Sequence, residues 1–220
     1  MIFVLTIFVG ALIGALMGVI AEKLISEINS QVNVSRIKFL VTGVALGALF
    51  ALLVCQRFAT WDLRIAYSTL CAGLILQTTV DALTHRLVRS ITHLTAIVGF
   101  IFLAVNAIRV EENSQLISAV ICATTSWCLF FVISKVAPAG LGAGDVRLVP
   151  VLGLYLGFLG YNEAILGIFI ACISASLVGV VLIAVGRGSL KRRFAFGPYL
   201  AFGTFICIFA GDALPRLFLN

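Results

Sequence analysis

Gly140-Leu141-Gly142-Ala143-Gly144-Asp145-Val146-Arg147-Leu148-Val149-Pro150 leads through apolar residues to Gly157. Three alternating glycines run into one aspartate, and the aspartate opens a hydrophobic segment. A carboxylate where a loop meets a membrane helix is unfavourable unless a function holds it there. Two local readings are open. Asp145 is a good N-cap for the segment that follows, and glycines are ordinary turn residues. Alternatively the carboxylate carries chemistry. The choice depends on how the chain is threaded, and this stretch decides the threading.

Composition sets the frame. The chain has 220 residues, 62% hydrophobic and 11% charged, with mean hydropathy +1.19. A soluble domain of this size cannot hide so much apolar surface, so the class is an all-α polytopic membrane helix bundle. The six cysteines (Cys55, Cys71, Cys122, Cys128, Cys172, Cys207) lie in apolar runs or at their ends and form no C-x-x-C pair. Neither a zinc ribbon nor a disulfide framework is expected; they read as small buried hydrophobes. The net charge of +6 is read as loop charge that sets orientation, so the expected partner is the bilayer and not nucleic acid.

A span needs about 20 apolar residues. Eight candidates appear: Ile2–Ala21, Phe39–Cys55, Ile65–Val80, Ser90–Ile108, Leu116–Ser134, Leu148–Asn162, Ala164–Gly186 and Phe194–Gly211. The first has no basic residues before it and is too long for a signal-peptide core, so it reads as a retained helix. Its Gly10, Gly14 and Gly18 recur every four residues, which predicts close helix packing. The sixth is the weakest, at 15 residues with Pro150 inside it. No linker interrupts residues 1–220, which read as a single membrane-embedded domain.

With the N-terminus outside and all eight segments crossing, the inner loops hold Lys23, Arg36, Lys38, Arg86, Arg89, Lys135, Arg147, Arg187, Lys191, Arg192 and Arg193. The outer loops hold Arg57, Arg64, Arg109 and Arg216. Eleven against four fits the positive-inside rule. Removing the sixth span would turn the Arg187–Arg193 cluster outward and collapse the bias.

The same threading sorts the carboxylates. Asp62, Glu111, Glu112, Glu163 and Asp212 fall outside, and Glu22 and Glu27 lie in the first inner loop. Asp81 and Asp145 remain, both at helix ends on the inner face and 64 residues apart. A converging pair of carboxylates can share one proton, so that one deprotonates water while the other protonates a carbonyl. Asp81 is expected after the C-terminal end of a helix, where the dipole disfavours charge. Asp145 is expected before an N-terminal end, where it is favoured. Asp145 is then the more readily ionised partner. Each also has a plain reading, as a cap or as a polar residue at the membrane edge.

Gly142-Ala143-Gly144-Asp145 is a G-x-G-D motif, followed by Val146-Arg147-Leu148 and a run ending Gly153-Leu154-Tyr155-Leu156-Gly157. It resembles the prepilin leader peptidases, the type IV prepilin peptidases among the G-x-G-D membrane aspartic proteases. Phe196-Gly197-Pro198-Tyr199-Leu200-Ala201 resembles the family's F-G-P-x-L-a segment, and the glycine-spaced first helix its N-terminal helix. The resemblance implies that Asp145 is catalytic and that Asp81, with Leu87 six residues on, is the second catalytic aspartate. Gly142, Gly144, Arg147, Gly197 and Pro198 are the supporting positions.

Two departures stand out. The family usually shows Leu-Pro after the first aspartate, where this chain has Leu87-Val88. Many members carry two C-x-x-C pairs between the first two helices, whereas Glu22–Lys38 has no cysteine, as in a short form. The resemblance implies removal of a short basic leader from prepilins or pseudopilins at the cytoplasmic face of the inner membrane. It implies S-adenosylmethionine only where the methyltransferase activity is retained. No metal is expected: His85 and His93 are too few to complete a site with the aspartates. Glu22 or Glu27 are candidates for holding a basic leader. Lys135 and Arg147 either tune Asp145 or anchor the inner face. The rival reading is a small transporter or channel that uses the two aspartates as a proton relay.

Overall fold

The computed structural model describes residues 2–28, 35–84, 86–136, 141–185 and 196–210. They form eight helices: α1 Ile2–Ile28, α2 Arg36–Arg57, α3 Trp61–Thr84, α4 Arg89–Val110, α5 Asn113–Val136, α6 Ala143–Leu159, α7 Tyr161–Ala184 and α8 Gly197–Ala210. No strand occurs among the described residues. The chain is a polytopic helical membrane protein. Six helices are long and apolar enough to cross a bilayer, namely all but α6 and α8. At 1.5 Å per residue the 17 residues of α6 reach about 25 Å, short of the roughly 30 Å hydrocarbon core. The helices gather into two compact units, Met1–Asn106 and Ala107–Asn220.

In the first unit α1 and α2 pack antiparallel through the glycines that the four-residue spacing singles out. A side chain on Gly10 would strike the Gly47 carbonyl, one on Gly14 that of Gly43, and one on Gly18 that of Phe39. Close backbone approach supplies dispersion contacts where lipid leaves no hydrophobic drive. Against this pair lies α3, buried at Ala66, Tyr67, Leu70, Leu74 and Val80. The start of α4 is tied to α3 by a buried amide, and Gly73 leaves room for Thr95. Trp61 meets Phe102 edge-on at 6.1 Å.

In the second unit α6 is enclosed: Val146, Leu148, Val149 and Val151 through Phe158 are all buried. It packs against α5, α7 and α8. Gly153 and Gly157 face α5, where an added Cβ would meet Ser126 Oγ and Cys122. Ser118 Oγ donates to the Gly157 carbonyl at 2.7 Å. One residue, Gly160, links α6 to α7. Gly167 and Ala171 of α7 lie against Gly203 of α8. The turn from α4 to α5 closes with paired bonds, Glu112 N–H to Ala107 O at 3.0 Å and Glu111 N–H to Ile108 O at 3.3 Å. Glu111 takes a φ of 60°, the left-handed conformation usual in such helix ends.

The helices overrun the apolar segments read from sequence. α1 continues past Ala21 through Glu22 and Lys23, α2 begins at Arg36, and α3 takes in Asp62, Arg64 and Asp81. A hydropathy window stops at the first charge, but backbone hydrogen bonding does not, because interfacial charges extend toward water from a continuous helix. The glycine stretch is shorter as a loop than its sequence implies: α6 starts at Ala143, five residues before the expected Leu148, and Asn162 belongs to α7. Residues 137–140, 186–195 and 211–220 lie outside the described residues, and with them Gly140, the Arg187–Arg193 cluster and both ends of the expected Phe194–Gly211 span. The cysteines divide. Cys71, Cys122 and Cys207 are buried, Cys55 and Cys172 are half-buried, and Cys128 is exposed on α5. That last position corrects the uniform reading as buried hydrophobes.

Candidate functional site

Asp145 is the third residue of α6 and not the residue before it. Gly142 is the N-cap. Its carbonyl accepts the Asp145 N–H at 3.1 Å, and its own N–H donates to Asp145 Oδ2 at 3.2 Å. The carboxylate thus returns to the cap, as the third residue of a capping box does. Capping and chemistry are compatible: the hydrogen bond aims the side chain, and the helix N-terminus supplies positive potential. Gly142 has ordinary extended geometry (φ −72°, ψ 143°), so backbone strain does not require glycine here. What glycine leaves free is the place of the carboxylate, because a Cβ on Gly142 would sit 2.9 Å from Asp145 Oδ2 and turn that side chain away.

Asp81 lies in the last turn of α3, inside the helix and not beyond it. Like Asp145 it is 5% exposed. The apolar wall on its N-terminal side is Leu76 and Val80 of α3 against Ala21 and Ile25 of α1. Thr84 Oγ1 takes up the Val80 carbonyl at 2.7 Å, which satisfies one of the acceptors left at the helix end. The helix C-terminus presents negative potential to this carboxylate, in contrast to Asp145.

The supporting positions separate. Gly142 touches the carboxylate, and Gly144 precedes Asp145 within the first turn of α6. Arg147 is exposed and, two residues on, lies about 200° around the helix from Asp145. Gly197 and Pro198 open α8, where the missing proline N–H is tolerated. Phe196 accepts from Tyr199 and Leu200 N–H and packs its ring 6.2 Å from Phe130 of α5. The F-G-P segment therefore builds the start of a helix. Of the other candidates, Glu22 is paired with Arg36 at 3.4 Å, Glu27 and His93 are exposed, and Lys135 lies over the Phe131 ring at 5.2 Å. His85 lies outside the described residues.

Sequence reasoning passed over two buried polar groups. Asp62, expected in an outer loop, is fully buried in the first turn of α3. Gln77 is 1% exposed, one turn before Asp81. A polar residue inside an apolar run is the signal that marks Gln77, whereas Asp62 lies before the apolar run, beside Arg64, and carries no such signal. A cleft of about 530 Å³ opens among α1, α2 and α3, lined by Gly10, Gly14, Gly47, Arg64 and Ser68. Its α3 wall ends at Ile75, short of Asp81, so the cleft and the aspartate are distinct.

The type IV leader peptidase family matches residues 68–184, more than half of the chain and both aspartates. This chain belongs to that family. It is 31% identical over 181 residues to the prepilin leader peptidase/N-methyltransferase of Neisseria gonorrhoeae, covering 82% of this chain and 60% of the relative. Its identity to the protein of that name in Burkholderia pseudomallei (strain 1026b) is 29% over 145 residues, 64% of this chain and 45% of the relative. To that of Pseudomonas aeruginosa it is 27% over 109 residues, 49% and 37%. The chain thus aligns with 60% or less of the length of these family members. No solved structure matches it.

Proposed function

We propose that the chain is an aspartic endopeptidase that removes the leader of prepilins or pseudopilins at the cytoplasmic boundary of the inner membrane, with Asp81 and Asp145 as its catalytic pair. The observation that carries this reading is two buried carboxylates at helix ends, both inside the segment that matches the peptidase family. The pair holds one proton. The ionised carboxylate takes a proton from water as its oxygen attacks the scissile carbonyl, and the protonated one gives its proton to that carbonyl oxygen. Collapse of the tetrahedral intermediate breaks the C–N bond: the departing nitrogen takes up the proton that water released, and the hydroxyl that re-forms the carbonyl returns its proton to the other carboxylate, so the pair again holds one proton. No metal and no S-adenosylmethionine enters these steps.

Placement at the membrane surface suits a substrate whose cleavage point adjoins an apolar helix. With α6 crossing, the count of eleven basic residues against four supports that surface being the cytoplasmic one. A proton relay through the bilayer needs carboxylates near mid-helix, whereas these occupy a last and a first turn.

The test is to mix the purified protein in detergent with a prepilin and to follow the shortened product by mass. Asp81→Asn and Asp145→Asn serve as controls. Adding S-adenosylmethionine shows by mass whether a methyl group is transferred. Absence of cleavage across several pilins, or full cleavage by either Asn variant, refutes the reading.

A further inference from the structure

Gln77 and Asp81 stand four residues apart on α3, hence on one face about 6 Å apart along the axis. The Gln77 amide is engaged at both ends. Oε1 accepts the Val88 N–H at 2.9 Å. Nε2 donates to the Val88 carbonyl at 3.2 Å and to Thr92 Oγ1 at 2.5 Å. One side chain thus satisfies both main-chain groups of the residue that precedes α4, as a neighbouring strand would. The Val88 carbonyl also accepts the Thr92 N–H at 3.3 Å, so the same clamp fixes the first turn of α4. Thr92 is 3% exposed and Val88 packs on the cluster of Leu76 and Val80. Deep burial makes these bonds strong and their loss expensive.

α3 ends at Thr84, three residues after Asp81, and Val88 is held back to α3 at Gln77, four residues before it. We propose that Gln77 is a positioning residue for Asp81: by holding Val88 and Thr92 to α3 one turn before the aspartate, it fixes the last turn of α3 and with it where the Asp81 carboxylate lies. A loop tied at one end only would let the last turn of α3 fray, and a shift of about 1 Å in a catalytic group lowers turnover by up to 10²-fold. The inference rests on the peptidase reading above for its effect on turnover, but the clamp itself is measured separately.

Gln77→Leu keeps the volume and removes both ends of the amide. Hydrogen exchange of the segment 86–92 in the purified protein is expected to speed up at least tenfold, with exchange in α1 and α2 unchanged. Prepilin turnover is expected to fall ten- to a hundredfold in kcat, with KM within twofold. Gln77→Glu keeps an acceptor and, when protonated, a donor. It is expected to retain more kcat than Gln77→Leu, with the gap widening toward acid. If Gln77→Leu does not fold, Thr92→Val removes one acceptor of the clamp, and a two- to fivefold loss of kcat is expected. Exchange at 86–92 unchanged in Gln77→Leu refutes the clamp, and unchanged kcat with faster exchange refutes its positioning role. Equal kcat for the Leu and Glu variants at every pH also refutes it. If the unmodified protein cleaves no prepilin, the peptidase reading fails, while the exchange result still decides the clamp.

Discussion

Replacing Gly142 by alanine isolates how Asp145 is aimed. The backbone at Gly142 (φ −72°, ψ 143°) accepts any residue, so alanine adds no torsional strain. Its Cβ would stand 2.9 Å from Asp145 Oδ2 and 3.8 Å from Cγ. An ordinary contact begins about 0.5 Å further out, so the carboxylate has to turn away by about that much. Turning breaks or lengthens the Gly142 N–H bond to Oδ2, now 3.2 Å. Loss of such a cap lowers stability by about 1 kcal/mol. The moving atom is the free end of a side chain, so the fold yields easily. The proposed chemistry does not, because that atom handles the proton. Gly142→Ala is therefore expected to lose about 10–100-fold in kcat for prepilin cleavage, with little change in thermal midpoint in detergent. The measurement pairs cleavage kinetics, followed by mass, with thermal denaturation of the same preparation. Wild-type kcat in a folded Gly142→Ala protein would refute the reasoning. So would a fall in kcat that merely tracks a large loss of stability.

Asp81→Asn and Asp145→Asn should each lower cleavage by about 10²–10⁴-fold while the protein remains folded. A pair that works with one proton loses rate below the pH where both are protonated and above the pH where both are ionised; a rate that is flat with pH would count against it. Gly153→Ala places a methyl 2.5 Å from Ser126 Oγ and 2.7 Å from the Cys122 carbonyl, and should lower stability by about 1–3 kcal/mol in a denaturation series. Glu111→Gly relieves the left-handed φ of 60° and should raise stability by about 1 kcal/mol in the same assay. Glu112 is exposed at the turn after α4, so a Glu112→Cys protein should react with an impermeant maleimide from outside the cell. Labelling only after lysis would reverse the proposed orientation.

Hydropathy alone determined the class and the approximate place of all eight helices, because a bilayer demands long apolar segments with internally satisfied backbones. The four-residue glycine spacing of α1 foretold close helix packing, since helical periodicity puts those positions on one face, but that the partner is α2 only the structure decided. The G-x-G-D block and Asp81 were legible as the candidate pair, because a carboxylate beside an apolar run is conspicuous by its energy. Helix ends were not legible. Glu22, Arg36, Asp62 and Asp81 break an apolar window but not a helix. Nor does a sequence reveal that Gly142 matters for the place of the carboxylate and not for flexibility, since that depends on where the Asp145 side chain turns. Gln77 is the strongest case. Its partners lie 11 and 15 residues on, across a turn, so its meaning rests on a contact that no local pattern encodes. Periodicity and polarity act within one segment and can be read from it, whereas the aim of a carboxylate and the partner of a buried amide exist only once helices have packed.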